Sequence, residues 1–126
     1  MSVPAVTAAA LTRSAIGASS WISPIGAGKL FGIDASQDVS AGLYLRLGGS
    51  RDFALAAGPL LTEGHSKRWM LGVAAACDIG DIVAVVLAHR EGKISKLGAS
   101  LFIGASTACL AMGAKAFTEV AEPASA

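Results

Sequence analysis

Four long apolar segments alternate with short polar joints along the chain. The apolar segments cover about residues 3–22, 39–61, 69–88 and 94–117. Each is close to the roughly 20 residues that an α-helix needs to cross the hydrocarbon core of a bilayer. The pattern predicts four transmembrane helices in a single domain, residues 1–126, with both termini on the same side of the membrane.

The first apolar segment has the weakest membrane signal of the four. It is rich in Ala, carries Arg13 near its middle, and ends just before Pro24, where a helix commonly stops. It has no basic start of the kind that a signal peptide carries, and Trp21 occupies a position typical of a membrane interface. We therefore predict a membrane helix here. The Gly-rich connection over residues 23–37 is long enough to form a lid or a re-entrant loop.

The joint at residues 62–68 reads as a tight polar turn, so the second and third helices should be antiparallel neighbours. Lys96 and Lys115 flank the fourth segment, where they can extend to the lipid headgroups. Basic residues are almost equally divided between the two faces, so the sequence does not predict the orientation in the membrane.

The composition supports an apolar environment. The 126 residues are 53% hydrophobic, 15% charged and 6% aromatic, and they include 15 Gly. Soluble chains are about a quarter charged, and small residues allow membrane helices to approach one another closely. The predicted fold is an all-α integral membrane four-helix bundle in contact with lipid. The membrane would be the endoplasmic reticulum in a eukaryote or the plasma membrane in a bacterium.

Charge and residue types exclude several classes of partner and cofactor. A net charge of +1 without a dense basic run provides no footprint for nucleic acid. Cys77 and Cys109 lie in apolar segments, which is typical of small buried residues rather than of metal ligands. His65 and His89 lie in joints on opposite faces, so they cannot share a metal. We expect neither a cofactor nor a metal.

Five ionisable residues interrupt the second and third apolar segments: Arg46, Arg51, Asp52, Asp78 and Asp81. An ion at bilayer depth is costly unless it is paired, and it usually marks a functional site. If the chain reverses near residue 65, Arg51 comes to the depth of Asp78 and Arg46 to the depth of Asp81. This geometry predicts two ion pairs between these helices.

Helical spacing places other residues with these charges. Asp78 and Asp81 lie on one face of the third helix. On the second helix, Tyr44, Gly48 and Arg51 form one stripe, in which the glycine leaves room for a cavity.

Asp52 lies further round the second helix, where Arg13 from the first segment is a natural partner. The charges have a structural interpretation, in which paired Arg and Asp determine helix register. They also have a functional one, in which two carboxyls beside a guanidinium act as a general acid and a general base.

A resemblance covers about residues 32–117. Residues 41–55 read AGLYLRLGGSRDFAL, and the next helix contains the run Asp-Ile-Gly-Asp at residues 78–81. These motifs resemble an uncharacterised family of four-helix membrane proteins in fungi and actinobacteria, which is marked by an Arg, then Gly-x-Arg-Asp, then an Asp in the following helix. The positions that match the family pattern are Arg46, Gly49, Arg51, Asp52 and Asp81.

Relatives of this kind look to be associated with fungal polyketide and terpenoid pathways, and some are thought to open epoxides. The resemblance implies a lipophilic epoxide substrate that is hydrolysed to a diol or cyclised. In the mechanism that we hypothesise, a protonated Asp78 donates to the epoxide oxygen while Asp52 or Asp81 activates water or a substrate hydroxyl. Arg51 would orient the carboxyls, and Tyr44 would assist protonation.

Arg46, Gly48 and Gly49 complete the candidate site as substrate-binding residues. Two other classes of function stay open. A small subunit or assembly factor of a membrane complex needs only packed helices, and a proton-coupled carrier would also use paired Asp and Arg. The carrier ranks lower, because four spans are few for alternating access and no inverted repeat is evident. Assembly into a homo-oligomer is compatible with each of these functions.

Overall fold

The computed structural model describes residues 3–30, 33, 36 and 39–120. Five helices follow one another: α1 (Ala5–Ile22), α2 (Pro24–Leu30), α3 (Val39–Leu60), α4 (Gly64–Arg90) and α5 (Lys96–Glu119). The described part of the chain contains no strand, so the all-α prediction is confirmed.

The apolar pattern located three of the long helices to within a few residues, but α4 begins earlier than predicted. Its first turns include His65 and Arg68, which we had assigned to a polar turn. Polar side chains are compatible with helix, and the reversal needs only the short stretch before Gly64. Gly64 has a φ of +56°, a conformation that glycine adopts without steric cost, so the chain can enter α4 directly.

The connection between the first two apolar segments contains a short helix, α2, which packs against α1 and α3. Pro24 begins this helix, as is common for proline at the first helical position. The lid or re-entrant loop stays a prediction, because residues 31, 32, 34, 35, 37 and 38 of this connection lie outside the described residues.

The long helices pack so that α1 contacts α3 and α5, and α4 contacts α5 and α3. The closest crossing joins α1 to α3 at two glycines. A Cβ atom at Gly49 would lie 2.8 Å from the carbonyl oxygen of Gly17, and one at Gly17 would lie 2.9 Å from the carbonyl oxygen of Gly49. Only glycine fits at this approach, which places α3 directly against α1.

Small and polar side chains fill most of the space between the helices, together with Leu55, Leu71 and Val85, while many large apolar side chains point outward. The buried residues include Ala5, Ala9, Ala10, Ala56, Ala74, Ala99 and Ala116, together with Arg13, Ser20, Asp78 and Ser106. The exposed residues include Leu11, Leu43, Leu47, Leu60, Val73, Ile79, Val83, Leu87, Leu97 and Leu101. A water-soluble helical protein usually has the reverse distribution, because burying large apolar side chains is what stabilises it in water.

Two helices, α4 and α5, are long and apolar enough to cross a membrane. The sequence analysis predicted four such spans. The helix α3 does not qualify because it carries Arg46, Arg51 and Asp52, and α1 is less apolar because of Arg13 and its several Ser and Thr residues.

Candidate functional site

A cavity of about 240 Å³ lies between the four long helices at the level of the charged residues. It is lined by Arg13, Ile16 and Ser20 of α1, Tyr44, Leu45, Gly48, Arg51 and Asp52 of α3, Asp78 and Asp81 of α4, and Phe102, Ala105, Ser106 and Cys109 of α5. The structure therefore brings all three Asp residues of the predicted site to one cavity.

The deepest contact in this cavity is an ion pair between Arg13 and Asp78. The guanidinium donates two hydrogen bonds to the carboxylate, Nη1 to Oδ1 at 3.0 Å and Nη2 to Oδ2 at 2.6 Å. The side chains are only 5% and 3% exposed. Two predictions were therefore wrong. Asp78 pairs with Arg13 and not with Arg51 of α3, and Arg13 does not pair with Asp52. Counting residues from the turn matches depths in α3 and α4 only, whereas Arg13 reaches across the interior from α1 to α4.

A second ion pair joins α3 to α4 nearer the surface. Arg51 donates from Nη1 to Oδ1 of Asp81 at 2.9 Å and from Nη2 to Oδ2 at 2.6 Å. The prediction that Arg46 pairs with Asp81 was wrong, and the Nε of Arg46 instead donates to the backbone carbonyl of Trp21 at 3.3 Å. Residues at equal depth need not face each other, and a long Arg side chain can reach a partner one turn away.

Asp52 is the least compensated of the three carboxylates. Its nearest cationic atom is Nη2 of Arg51, at 3.9 Å from Oδ1, and its side chain is 14% exposed. Within the described residues, no donor makes a hydrogen bond to Asp52, whereas Asp78 and Asp81 each accept two from an Arg. Arg51 thus lies between two carboxylates and holds only Asp81 tightly.

The other predicted site residues divide between the cavity and its surroundings. Tyr44 lines the cavity and is 70% exposed, and a Cβ at Gly48 would meet open space. Gly49 instead lies at the crossing with Gly17, and Arg46 does not line the cavity.

The sequence left Ser106 and Cys109 of α5 without assigned roles, and it placed Arg13 with the wrong partner. Ser106 and Cys109 of α5 line the cavity and are 7% and 3% exposed. Their spacing of three residues puts both on one face of α5. Small polar residues on a single face of an apolar helix are the sequence signal by which this part of the cavity wall could have been found.

A second groove, of about 360 Å³, lies on the other side of Asp81 and shares Asp81 and Phe102 with the cavity. It reaches Lys93 and Ile94 at the turn between α4 and α5. Asp81 therefore borders both the interior cavity and a path to one end of the helices.

The described residues contain no group of three or more His, Cys, Asp or Glu side chains placed to hold a metal ion. The oxygens of Asp78 and Asp81 are engaged by guanidinium groups. The arrangement is a partly enclosed cluster of carboxyl and guanidinium groups.

No protein-family model, curated protein or solved structure matches this chain. The resemblance to a four-helix membrane family stays a prediction that rests on the motifs of α3 and α4.

Proposed function

We propose that the four long helices form a bundle embedded in a membrane. The spanning length of α4 and α5 and the outward large apolar side chains support this arrangement. With 18 and 22 residues, α1 and α3 extend about 27 and 33 Å, close to the thickness of a hydrocarbon core. Arg13 and Arg51 are paired with carboxylates, which lowers the cost of placing these two charges in hydrocarbon.

Within this bundle we propose an acid/base enzyme that opens a lipophilic epoxide. The observation that carries the proposal is the position of Arg51, which binds Asp81 through two hydrogen bonds and lies 3.9 Å from Asp52 at the wall of the same cavity. Soluble epoxide hydrolases of the limonene type also combine an acidic Asp, an Arg and a water-activating Asp. The likeness is one of chemistry and does not imply a common origin.

We infer different roles for Asp52 and Asp81 from their contacts with Arg51. Asp81 accepts two hydrogen bonds from Arg51, and its remaining lone pairs can accept a proton from water. Asp52 lacks such a partner and can hold a proton in an enclosed site. In the forward reaction Asp52 gives its proton to the epoxide oxygen as the C–O bond breaks. Water adds to the carbon and gives its proton to Asp81, and the product is a diol.

The catalyst is reset when the proton on Asp81 returns to Asp52 through water. The groove that borders Asp81 and reaches Lys93 is a route for that water. If a hydroxyl of the substrate replaces water as the nucleophile, the same two proton transfers give a cyclic ether.

We infer a positioning role for Asp78, rather than the acid role expected from the sequence. Both of its oxygens accept hydrogen bonds from Arg13, and the pair is almost fully buried. With both oxygens occupied in this way, Asp78 is not placed to donate a proton to a substrate. It links α4 to α1 and holds the cavity wall in register.

The cavity volume limits which part of a substrate can enter. At about 240 Å³ it is smaller than most sites for drug-sized ligands, so only the epoxide-bearing end of a long substrate fits. Tyr44 is exposed at the mouth, and the space above Gly48 is open, so the remaining hydrocarbon can lie among the lipids beside α3.

Conversion of a panel of terpenoid and polyene epoxides by purified protein in lipid vesicles, with heavy-oxygen water, tests the proposal. We expect label in the diol with wild type, and loss of at least a hundredfold in rate for Asp52→Asn and for Asp81→Asn, as is usual for a general acid or base. Gly48→Leu should block the cavity, whereas Gly42→Leu, on the same helix and also facing open space, should retain activity. Turnover that persists in Asp52→Asn would contradict the mechanism.

One observation favours a second candidate function, that of a non-catalytic subunit of a membrane complex. The Arg51 side chain is 42% exposed although it lies midway along α3. A partner helix that covers the pair with Asp81 would shield it from lipid. Folded protein that converts no epoxide, and that forms a stable complex which is lost in Asp81→Asn, would support this function instead.

A further inference from the structure

A separate groove, of about 540 Å³, lies between the beginning of α4 and the end of α5. Its wall comprises His65, Arg68, Trp69, Gly72, Val73, Ala76 and Phe117. None of these residues lines the cavity that holds the charged cluster. The groove is basic at the end where α4 begins and apolar along the rest of its length.

At the basic end of the groove, Arg68 contacts an aromatic ring. The guanidinium carbon of Arg68 lies 4.9 Å from the centre of the Phe117 ring, which fixes its position at the groove. His65 is an exposed residue one turn earlier on α4. Trp69 is 75% exposed, as is typical of an aromatic residue at a membrane interface. Arg68, His65 and Trp69 thus gather at one end of the groove.

The apolar part of the groove follows one face of α4 towards the middle of the helix. A Cβ at Gly72 would meet open space, so the absence of a side chain here leaves room in the groove. Val73 is 47% exposed and continues the wall towards Ala76. From His65 to Ala76 the helix rises about 16 Å, roughly half the thickness of a hydrocarbon core.

We propose that this groove binds one anionic phospholipid, with its phosphate at Arg68 and His65 and an acyl chain along Gly72, Val73 and Ala76. The positive charge of Arg68 complements a phosphate, and basic pockets beside membrane helices bind anionic headgroups. A phospholipid has its charge at one end and its hydrocarbon at the other, as the groove has. This site does not depend on epoxide chemistry, but it does depend on the membrane location proposed above.

Native mass spectrometry of the full chain in detergent micelles, titrated with phosphatidylglycerol or phosphatidylcholine, tests the proposal. We expect one phosphatidylglycerol per chain to bind more tightly than phosphatidylcholine. Arg68→Gln should lower the affinity for phosphatidylglycerol about fivefold, the usual effect of one basic residue at an anionic lipid surface. Lys67→Gln removes the same charge one position away, outside the groove wall, and should change the affinity less than twofold.

A second pair of variants tests the apolar part of the groove without changing charge. Gly72→Leu fills the groove and should abolish the single tight binding event. Gly80→Leu, on the same helix and also facing open space but outside this groove, should retain it. Equal affinity for the two lipids in wild type, equal losses in Arg68→Gln and Lys67→Gln, or unchanged binding in Gly72→Leu would each overturn the proposal. The epoxide assay uses other variants, so the two proposals can fail independently.

Discussion

Replacing Asp78 with Asn removes the anionic partner of Arg13, a guanidinium that lies between α1 and α4 and is almost fully buried. Both hydrogen bonds of the pair are short, at 3.0 and 2.6 Å, and the side chains are 5% and 3% exposed. Breaking a buried ion pair from one side costs about 3–5 kcal/mol. An unpaired Arg at the centre of a membrane helix costs about 2.5–3.5 kcal/mol. We expect Asp78→Asn to lower the free energy of unfolding by about 3 kcal/mol, where these ranges meet.

Removing both charges should restore most of that stability. In the double variant Arg13→Met with Asp78→Leu, no buried ion is left without a partner, and such replacements are often neutral. We expect it to lie within about 1 kcal/mol of wild type. Asp81→Asn is the matched control, because it breaks an ion pair of the same bidentate geometry whose side chains are 42% and 24% exposed. Its expected loss is smaller than that of Asp78→Asn, because Arg51 keeps a second carboxylate, that of Asp52, at 3.9 Å.

Reversible unfolding in mixed micelles, titrated with a denaturing detergent and followed by far-ultraviolet circular dichroism, measures these differences. The reasoning predicts a clear order of stability, with the Asp78 single variant below both the double variant and the Asp81 variant. A loss in Asp78→Asn no larger than that in Asp81→Asn would refute the assigned burial of the pair. A double variant as unstable as the single one would refute the unpaired-charge explanation.

Two further predictions concern helix packing and helix capping. Gly49→Ala should destabilise the protein by about 1–3 kcal/mol in the same unfolding titration, because the new Cβ would lie 2.8 Å from the carbonyl oxygen of Gly17. Gly42→Ala faces open space and should cost little, so similar losses in both would argue against this crossing. Ser95→Ala removes the hydroxyl that accepts a hydrogen bond from the amide of Gly98 at 3.0 Å. It should lower the free energy of unfolding by about 1 kcal/mol in the same titration. An unchanged stability would show that this cap is dispensable.

The apolar pattern by itself was enough to locate the long helices and to identify the charged residues that matter. Local hydrophobicity and helix length depend on neighbouring residues in the chain, so they can be read without knowing the packing. The start of α4 was missed because polar residues are compatible with both a turn and the first turns of a helix. The sequence also singled out Arg51, Asp52, Asp78 and Asp81, all of which line one cavity.

The partners of those charges were decided only by the tertiary structure. Counting from the turn gives the depth of a residue in a helical hairpin, but not the direction in which its side chain points or which helix lies opposite. Close approach at Gly17 and Gly49 places α1 against α3 and lets Arg13 reach across the interior to Asp78. Arg51 then pairs with Asp81, and Asp52 has the longest contact with a guanidinium of the three Asp residues. These outcomes depend on the rotation of each helix about its axis, which packing between distant segments sets and local sequence does not.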